Sequence, residues 1–355
     1  MSKTSSSRLP SLSSSSLRCS LAVLLRIWPG LAIACLVAMA ATFITATHGG
    51  PVLLYALLLG ISLHHLHDDP RNSAGIDFCA RTLLRLGVGL LGARITATQI
   101  ASLGWITVAI VALGIATTIG LAVLVARRFG LSTAQGFLSG GSVAICGASA
   151  ALAISAALPR QQHDDRFTLM VVVTVTALST VAMVIYPLIA QWMGLTPELA
   201  GLFLGGTIHD VAQVVGAGYT LGQETGDIAT VVKLFRIAML TFVVLIASLA
   251  FKASTEKEPA ATKPRLHAPA LSLVPWFLWL FLAMVALHSI SLIPQKVQET
   301  FGDISRACLV LAIAALGFKT SFKQLVQAGW RPVALIVAET LWLTGFVLFC
   351  AMAMA

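Results

Sequence analysis

The chain has 355 residues, of which 57% are hydrophobic and only 10% charged, with a mean hydropathy of +0.91. A soluble domain carries about 25% charged residues, so this composition excludes a water-soluble globule and leaves an integral membrane protein. The net charge of +9 lies in short loops between apolar runs, with no aromatic-studded basic face, which excludes a nucleic-acid binder and reads as a topology signal.

Continuous apolar runs, rather than alternating segments of ~10 residues, predict an all-α polytopic membrane protein and not a barrel. Residues 1–27 read as a serine-rich cytoplasmic tail. Windows of about 20 apolar residues place roughly eleven spans, near 28–47, 51–66, 78–94, 104–126, 134–157, 167–191, 198–220, 228–251, 271–291, 304–318 and 331–354. The polar stretch 252–269, "KASTEKEPAATKPRLHAP", reads as a cytoplasmic linker. It divides a first part of the bundle, 28–251 with about eight spans, from a last part, 270–355 with about three. With the N-terminus inside, fourteen Lys and Arg fall in inside segments and five (Arg94, Arg160, Arg166, Lys296 and Arg306) in outside ones. That bias predicts a cytoplasmic N-terminus and a periplasmic C-terminus.

"HHLHDD" at His64 to Asp69 has the residue types of a metal box, but at a cytoplasmic span end it reads as a solvated loop. The six cysteines form no Cys-x-x-Cys pair and lie mostly in apolar runs, so they read as small hydrophobes. Neither a metal nor a cofactor is expected. No P-loop is present, so the driving force for any transport is expected from an ion gradient or from the substrate's own gradient.

Two short patterns recur along the chain. "GFLSGGSV" (Gly136 to Val143) and "GLFLGGTI" (Gly201 to Ile208) share a face of small residues that lets helices approach closely. "LGARITATQIASLGW" (Leu91 to Trp105) echoes "LGFKTSFKQLVQAGW" (Leu316 to Trp330), with Gly, base and Gly-Trp at equal spacing. Chance similarity in glycine-rich membrane sequence also accounts for such echoes. Inverted repeats with interrupted helices at a midplane site are a recurrent transporter plan, and they predict helix breaks at Gly140, Gly141, Gly205, Gly206 and Gly317.

The chemistry concentrates in "GGTIHDVAQVVGAG", Gly205 to Gly218. Helical spacing places His209, Asp210 and Gln213 on one polar stripe, and intramembrane ionisable groups mark ion or proton pathways. These three are the candidate ion-coupling residues, although a buried, mutually satisfied structural pair fits the same pattern. In "GGSVAICGASAALAIS" (Gly140 to Ser155), Ser142, Cys146 and Ser149 are spaced four and three apart. A helix broken there would aim backbone N–H groups at an anion. Lys233 and Arg236 share a face several residues into a span, and Arg94 and Lys319 end spans just after the repeated Leu-Gly. A basic excess at depth favours an anionic substrate, so Arg94, Ser142, Cys146, Lys233, Arg236 and Lys319 are the candidate substrate-binding residues. An intramembrane hydrolase built on Ser149 and His209 is a weaker reading, because no Gly closes the motif after Ser149.

Together, "LGVGLLGARIT", "GGSVAICGASAALA", "GTIHDVAQVVGAG" and "LGFKTSFKQL" with the following "GWRP" resemble the YeiH family of bacterial membrane proteins, which carry the description sulfate exporter. The resemblance runs from about residue 50 to the C-terminus. It implies an inner-membrane protein of ten or eleven helices, distantly similar to transporters of two inverted five-helix repeats with broken helices; here an extra N-terminal helix precedes them. The expected function is secondary transport of a small anion, sulfate or an organosulfonate for export, with H+ or Na+ as coupling ion. Cation-coupled transport of an uncharged or organic substrate is the alternative. The lipid bilayer is the expected environment, no enzymatic activity or nucleic-acid partner is expected, and a homo-oligomer is compatible with the sequence.

Overall fold

The computed structural model describes residues 14–158, 165–251, 275–320 and 330–354. The linker predicted at 252–269, and residues 321–329 of the second echo, lie outside these. Regular structure among the described residues is entirely helical. In chain order the helices are α1 (Ser14–His48), α2 (Val52–Ser62), α3 (Pro70–Phe78), α4 (Leu84–Leu91), α5 (Ala97–Ser102), α6 (Gly104–Arg128), α7 (Thr133–Ala144), α8 (Ala148–Ala157), α9 (Asp165–Trp192), α10 (Pro197–Thr207), α11 (Val211–Leu221), α12 (Gln223–Ala250), α13 (Trp276–Ser289), α14 (Gln295–Lys319) and α15 (Trp330–Ala353). α1 begins at Ser14, inside the stretch read from sequence as tail. Six helices are long and apolar enough to cross a bilayer, within α1 and in α6, α9, α12, α14 and α15, and shorter apolar helices accompany them. The chain is therefore a multi-pass membrane protein.

Two of the predicted spans prove to be something else. The window 134–157 holds α7 and α8, separated at Ile145 to Gly147, where Gly147 adopts φ +63°. α8 folds back on α7, since Ile154 fills the space beside Gly141. The start of α7 packs near the C-terminal end of α12, with the Phe137 and Phe251 rings 5.8 Å apart. We call this the lower end of the bundle. The window 198–220 likewise holds α10 and α11, separated at Ile208 to Asp210. Along α10, Gly201 rests on Ile228 and Gly205 on Val232, so α10 runs with α12 away from the upper end. α11 then returns, with Gly218 set against Gly226. Both windows are re-entrant hairpins, not spans, and they enter from opposite ends. Length and hydropathy cannot separate this case from a span, because each pair of limbs together has the length of a crossing helix.

Local sequence explains where the limbs start. Ser132 and Gln135 form a reciprocal capping box on α7, and Thr196 caps α10 ahead of Pro197 at its first position. The paired glycines do not break helices, contrary to the sequence expectation. Gly140 lies within α7 against Ala122 and Ile119 of α6, and Gly205 and Gly206 lie within α10 against Val232 and Val347. Gly317 lies in an unbroken α14 against Gly60 of α2. Each supplies close backbone approach, and the breaks fall two to six residues later in the hairpins and nowhere in α14.

The helices sort into two groups. α1 to α4, α13 and α14 pack on one another, while α6 to α12 with α15 form a second group around the hairpins. The seam between them is crossed chiefly by α11, which meets α2 and α14.

Candidate functional site at the hairpin tips

Ending a helix inside a bilayer strands its last carbonyls, each costing several kcal/mol where no water can reach (on the order of a lost hydrogen bond or more). In this fold two helices, α7 and α10, end at the same depth. Lys233 and Arg236, one turn apart on α12, answer both. The Arg236 guanidinium donates from Nε and Nη2 to the Ala144 carbonyl at 2.9 and 2.7 Å, and from Nη2 to Val143 at 3.1 Å. Its Nη1 donates to Gly205 and Ile208, each at 3.0 Å. All five donors of a guanidinium are thereby used. Lys233 Nζ donates to Ile208 at 2.9 Å and to Ile145. Both side chains are buried, at 1% and 0% exposure, and neither meets a carboxylate within ion-pair distance among the described residues.

The polar residues of the second tip separate instead of sharing a stripe. His209 and Asp210 lie in the break, ahead of α11, so helical spacing does not apply to them. His209 links the hairpins to the rest of their group: Nδ1 stands 3.1 Å from the Val143 carbonyl and Nε2 3.2 Å from Thr340 Oγ. Asp210 caps α11 through the Ala212 N–H at 2.9 Å, and its own N–H donates to Ser179 at 3.0 Å. Gln213 donates to Thr180 at 2.8 Å, while its buried Oε1 has no hydrogen-bond partner. Asp210 and Val211 are half-buried and Ser149 is exposed, so the first turns of α8 and α11 form the open edge of the tips.

The other candidates scatter. Ser142 Oγ donates back to Leu138 at 2.5 Å within α7, as Thr207 does to Phe203 at 2.6 Å within α10, so neither hydroxyl hydrogen is offered to an anion. Cys146 is buried in the α7–α8 break, against the Ala150 N–H. Lys319 pairs with Asp77 at 2.6 Å. Partial burial pushes the Asp77 carboxyl up, but the hydrogen bond and charge of Lys319 outweigh it and hold the group below the usual carboxylate range. Arg94 lies at the upper end of the seam, away from the tips. Both ring nitrogens of His209 are engaged elsewhere, so the Ser149–His209 dyad does not form. The sequence reading also passed over Ser139, which donates to Glu339 at 2.7 Å across 200 positions, a separation no local pattern reveals.

The tips are electropositive by construction. A helix C-terminus carries roughly half a negative charge and an N-terminus roughly half a positive one, so the two ends of each kind offset. Lys233 and Arg236 then outweigh Asp210, and Glu339 is turned to Ser139, out of ion-pair range of either base.

Comparison with known proteins agrees on one family. The family model described as "Conserved hypothetical protein 698" matches residues 29–336. The UPF0324 membrane protein CT0845 of Chlorobaculum tepidum is 47% identical over 324 residues, covering 91% of this chain and 88% of its own length. The UPF0324 membrane protein TauZ of Paracoccus denitrificans is 49% identical over 321 residues, covering 90% and 93%. A UPF0324 membrane protein of Rhizobium meliloti, RB0971, is 45% identical over 320 residues, covering 90% and 91%. No solved structure matches. With a match across most of its length and relatives at nearly half identity, the chain belongs to the YeiH/UPF0324 family of membrane proteins.

Proposed function

We propose that the protein is a secondary transporter of a small anion in the bacterial inner membrane, and not an enzyme. The observation that carries this reading is the pair Lys233 and Arg236, fully buried without a carboxylate partner beside two opposed hairpin tips. Carriers commonly place the substrate near the midplane at the junction of two helix breaks, and buried ionisable side chains mark such pathways. The anion meets the open first turns of α8 and α11 and one N–H of Lys233 not spent on carbonyls. Arg236, with every donor committed, contributes charge and not contacts.

Asp210 and Gln213 supply the coupling ion site. Asp210 is the half-exposed carboxylate at the tip, and the unpartnered Oε1 of Gln213 is an acceptor that a proton donor or Na+ would satisfy. His209 holds the hairpins together. Relative movement of the two helix groups along the α11 seam opens the tips to each side in turn.

The hairpin fold also sharpens orientation. α8 ends and α9 begins toward the lower end, so this topology assigns Arg160 and Arg166 to the inner instead of the outer side. Inside segments then hold sixteen Lys and Arg against three outside (Arg94, Lys296 and Arg306), with the N-terminus still cytoplasmic and the C-terminus periplasmic. Uptake of labelled sulfate and short organosulfonates into proteoliposomes tests the reading. Flux above empty liposomes that follows an imposed H+ or Na+ gradient, and loses that dependence in Asp210→Asn, is the expected result. No anion moving faster than in empty liposomes under any gradient would refute it.

A further inference from the structure

A second basic site lies far from the tips, at the upper end of the seam. There a cavity of about 270 Å³ opens between the two helix groups, lined by α2 and α14 on one side and α11 on the other. Arg94 and Arg306 both line it. Arg94 is half-buried, and no hydrogen bond or ion pair engages it among the described residues. Its space is kept by Gly302, where a Cβ would stand 3.3 Å from Arg94 Cδ. Tyr219, also on the wall, gives its hydroxyl hydrogen to Asp227, a carboxylate within electrostatic range of Arg94 but beyond ion-pair distance from it. The lining also carries the buried Leu53, Leu91 and Leu309, the last two about one turn from Arg94 and Arg306.

We propose that this cavity binds a small organic anion: an oxyanion head held by Arg94 and Arg306, with a short apolar tail against the three leucines. Two guanidinium groups facing one space suit an oxyanion with several acceptor oxygens. The volume falls just below the ~300–1,000 Å³ of pockets for drug-sized ligands, which restricts the occupant to a few heavy atoms. An inorganic anion would meet the guanidinium groups alone, so the tail is what the apolar part of the lining selects. As a docking station on the outer side of the carrier the site rests on the transport reading above; as a binding site it stands alone.

Titration of the purified full-length protein with ethanesulfonate and with inorganic sulfate, read by calorimetry or thermal stabilisation, tests it. Ethanesulfonate is expected to bind at least about tenfold more tightly than sulfate, and Arg306→Gln, an exposed position, to weaken it by about tenfold. Gly302→Val, which pushes Arg94 aside without removing charge, is expected to weaken it comparably. Ethanesulfonate affinity unchanged in both variants, or sulfate bound as tightly as ethanesulfonate, would overturn the assignment. Binding with this pattern but no anion flux in proteoliposomes would sink the transport reading and leave the site standing. Flux with unaltered binding in both variants would do the reverse.

Discussion

At the scale of single residues, Arg236 carries more of the fold than any sequence pattern attaches to one arginine. Its five hydrogen bonds reach carbonyls at the ends of two helices far apart in the sequence. A lysine in its place keeps the charge but lacks a planar fork able to span both tips. We expect Arg236→Leu to destabilise the protein by about 3–5 kcal/mol, because it strips partners from carbonyls buried in the bilayer. Arg236→Lys should lose roughly 1–3 kcal/mol. Reversible unfolding in mixed micelles measures both, and a leucine variant within about 0.5 kcal/mol of the parent would show that the carbonyls find other partners. The sequence made Lys233 and Arg236 conspicuous as bases at depth. It could not distinguish a ligand clamp from a cap, since the carbonyls they meet lie 25 to 93 positions away.

At the scale of elements, the glycine echoes were legible and their meaning was not. Gly140, Gly141, Gly205 and Gly206 looked like breaks because adjacent glycines weaken a helix. Packing overrides that tendency, since the missing side chains admit α6, α12 and α15 to within van der Waals contact. The true breaks occur where Gly147 takes a positive φ and where Ile208 turns extended before the Asp210 cap. Helical content and the apolar character of most elements are local properties, and reading them needs only the chain. A hairpin that turns back at mid-depth is a tertiary fact, visible only once Gly141 meets Ile154 and Gly218 meets Gly226. One consequence is open to test: Gly205→Val should drive α10 off α12 and abolish transport, because a Cβ already stands 2.8 Å from Val232. Gly120 faces open space, so Gly120→Ala should leave both folding and uptake near the parent's level. Equal uptake by both variants would contradict the packing role of Gly205.

At the scale of the whole molecule, two opposed hairpins change what the chain is as a membrane protein. They remove two crossings from the sequence-derived count, which leaves the termini on opposite sides in the proposed topology, and they bring both helix breaks to one pair of bases. They also separate the seam arginine, Arg94, from the tips, so the basic residues that composition grouped together serve different places. Everything proposed about the centre depends on the hairpins entering from opposite sides. The most direct measurement is labelling by an impermeant maleimide of single cysteines introduced as Asp165→Cys and Glu198→Cys, both exposed positions, with the six native cysteines replaced. With the N-terminus in the cytoplasm, as proposed, opposed hairpins require that Cys introduced at 165 react only from the cytoplasmic side and at 198 only from the periplasmic side. The reverse pattern, which eleven plain spans would give, would contradict the hairpins and with them the shared site.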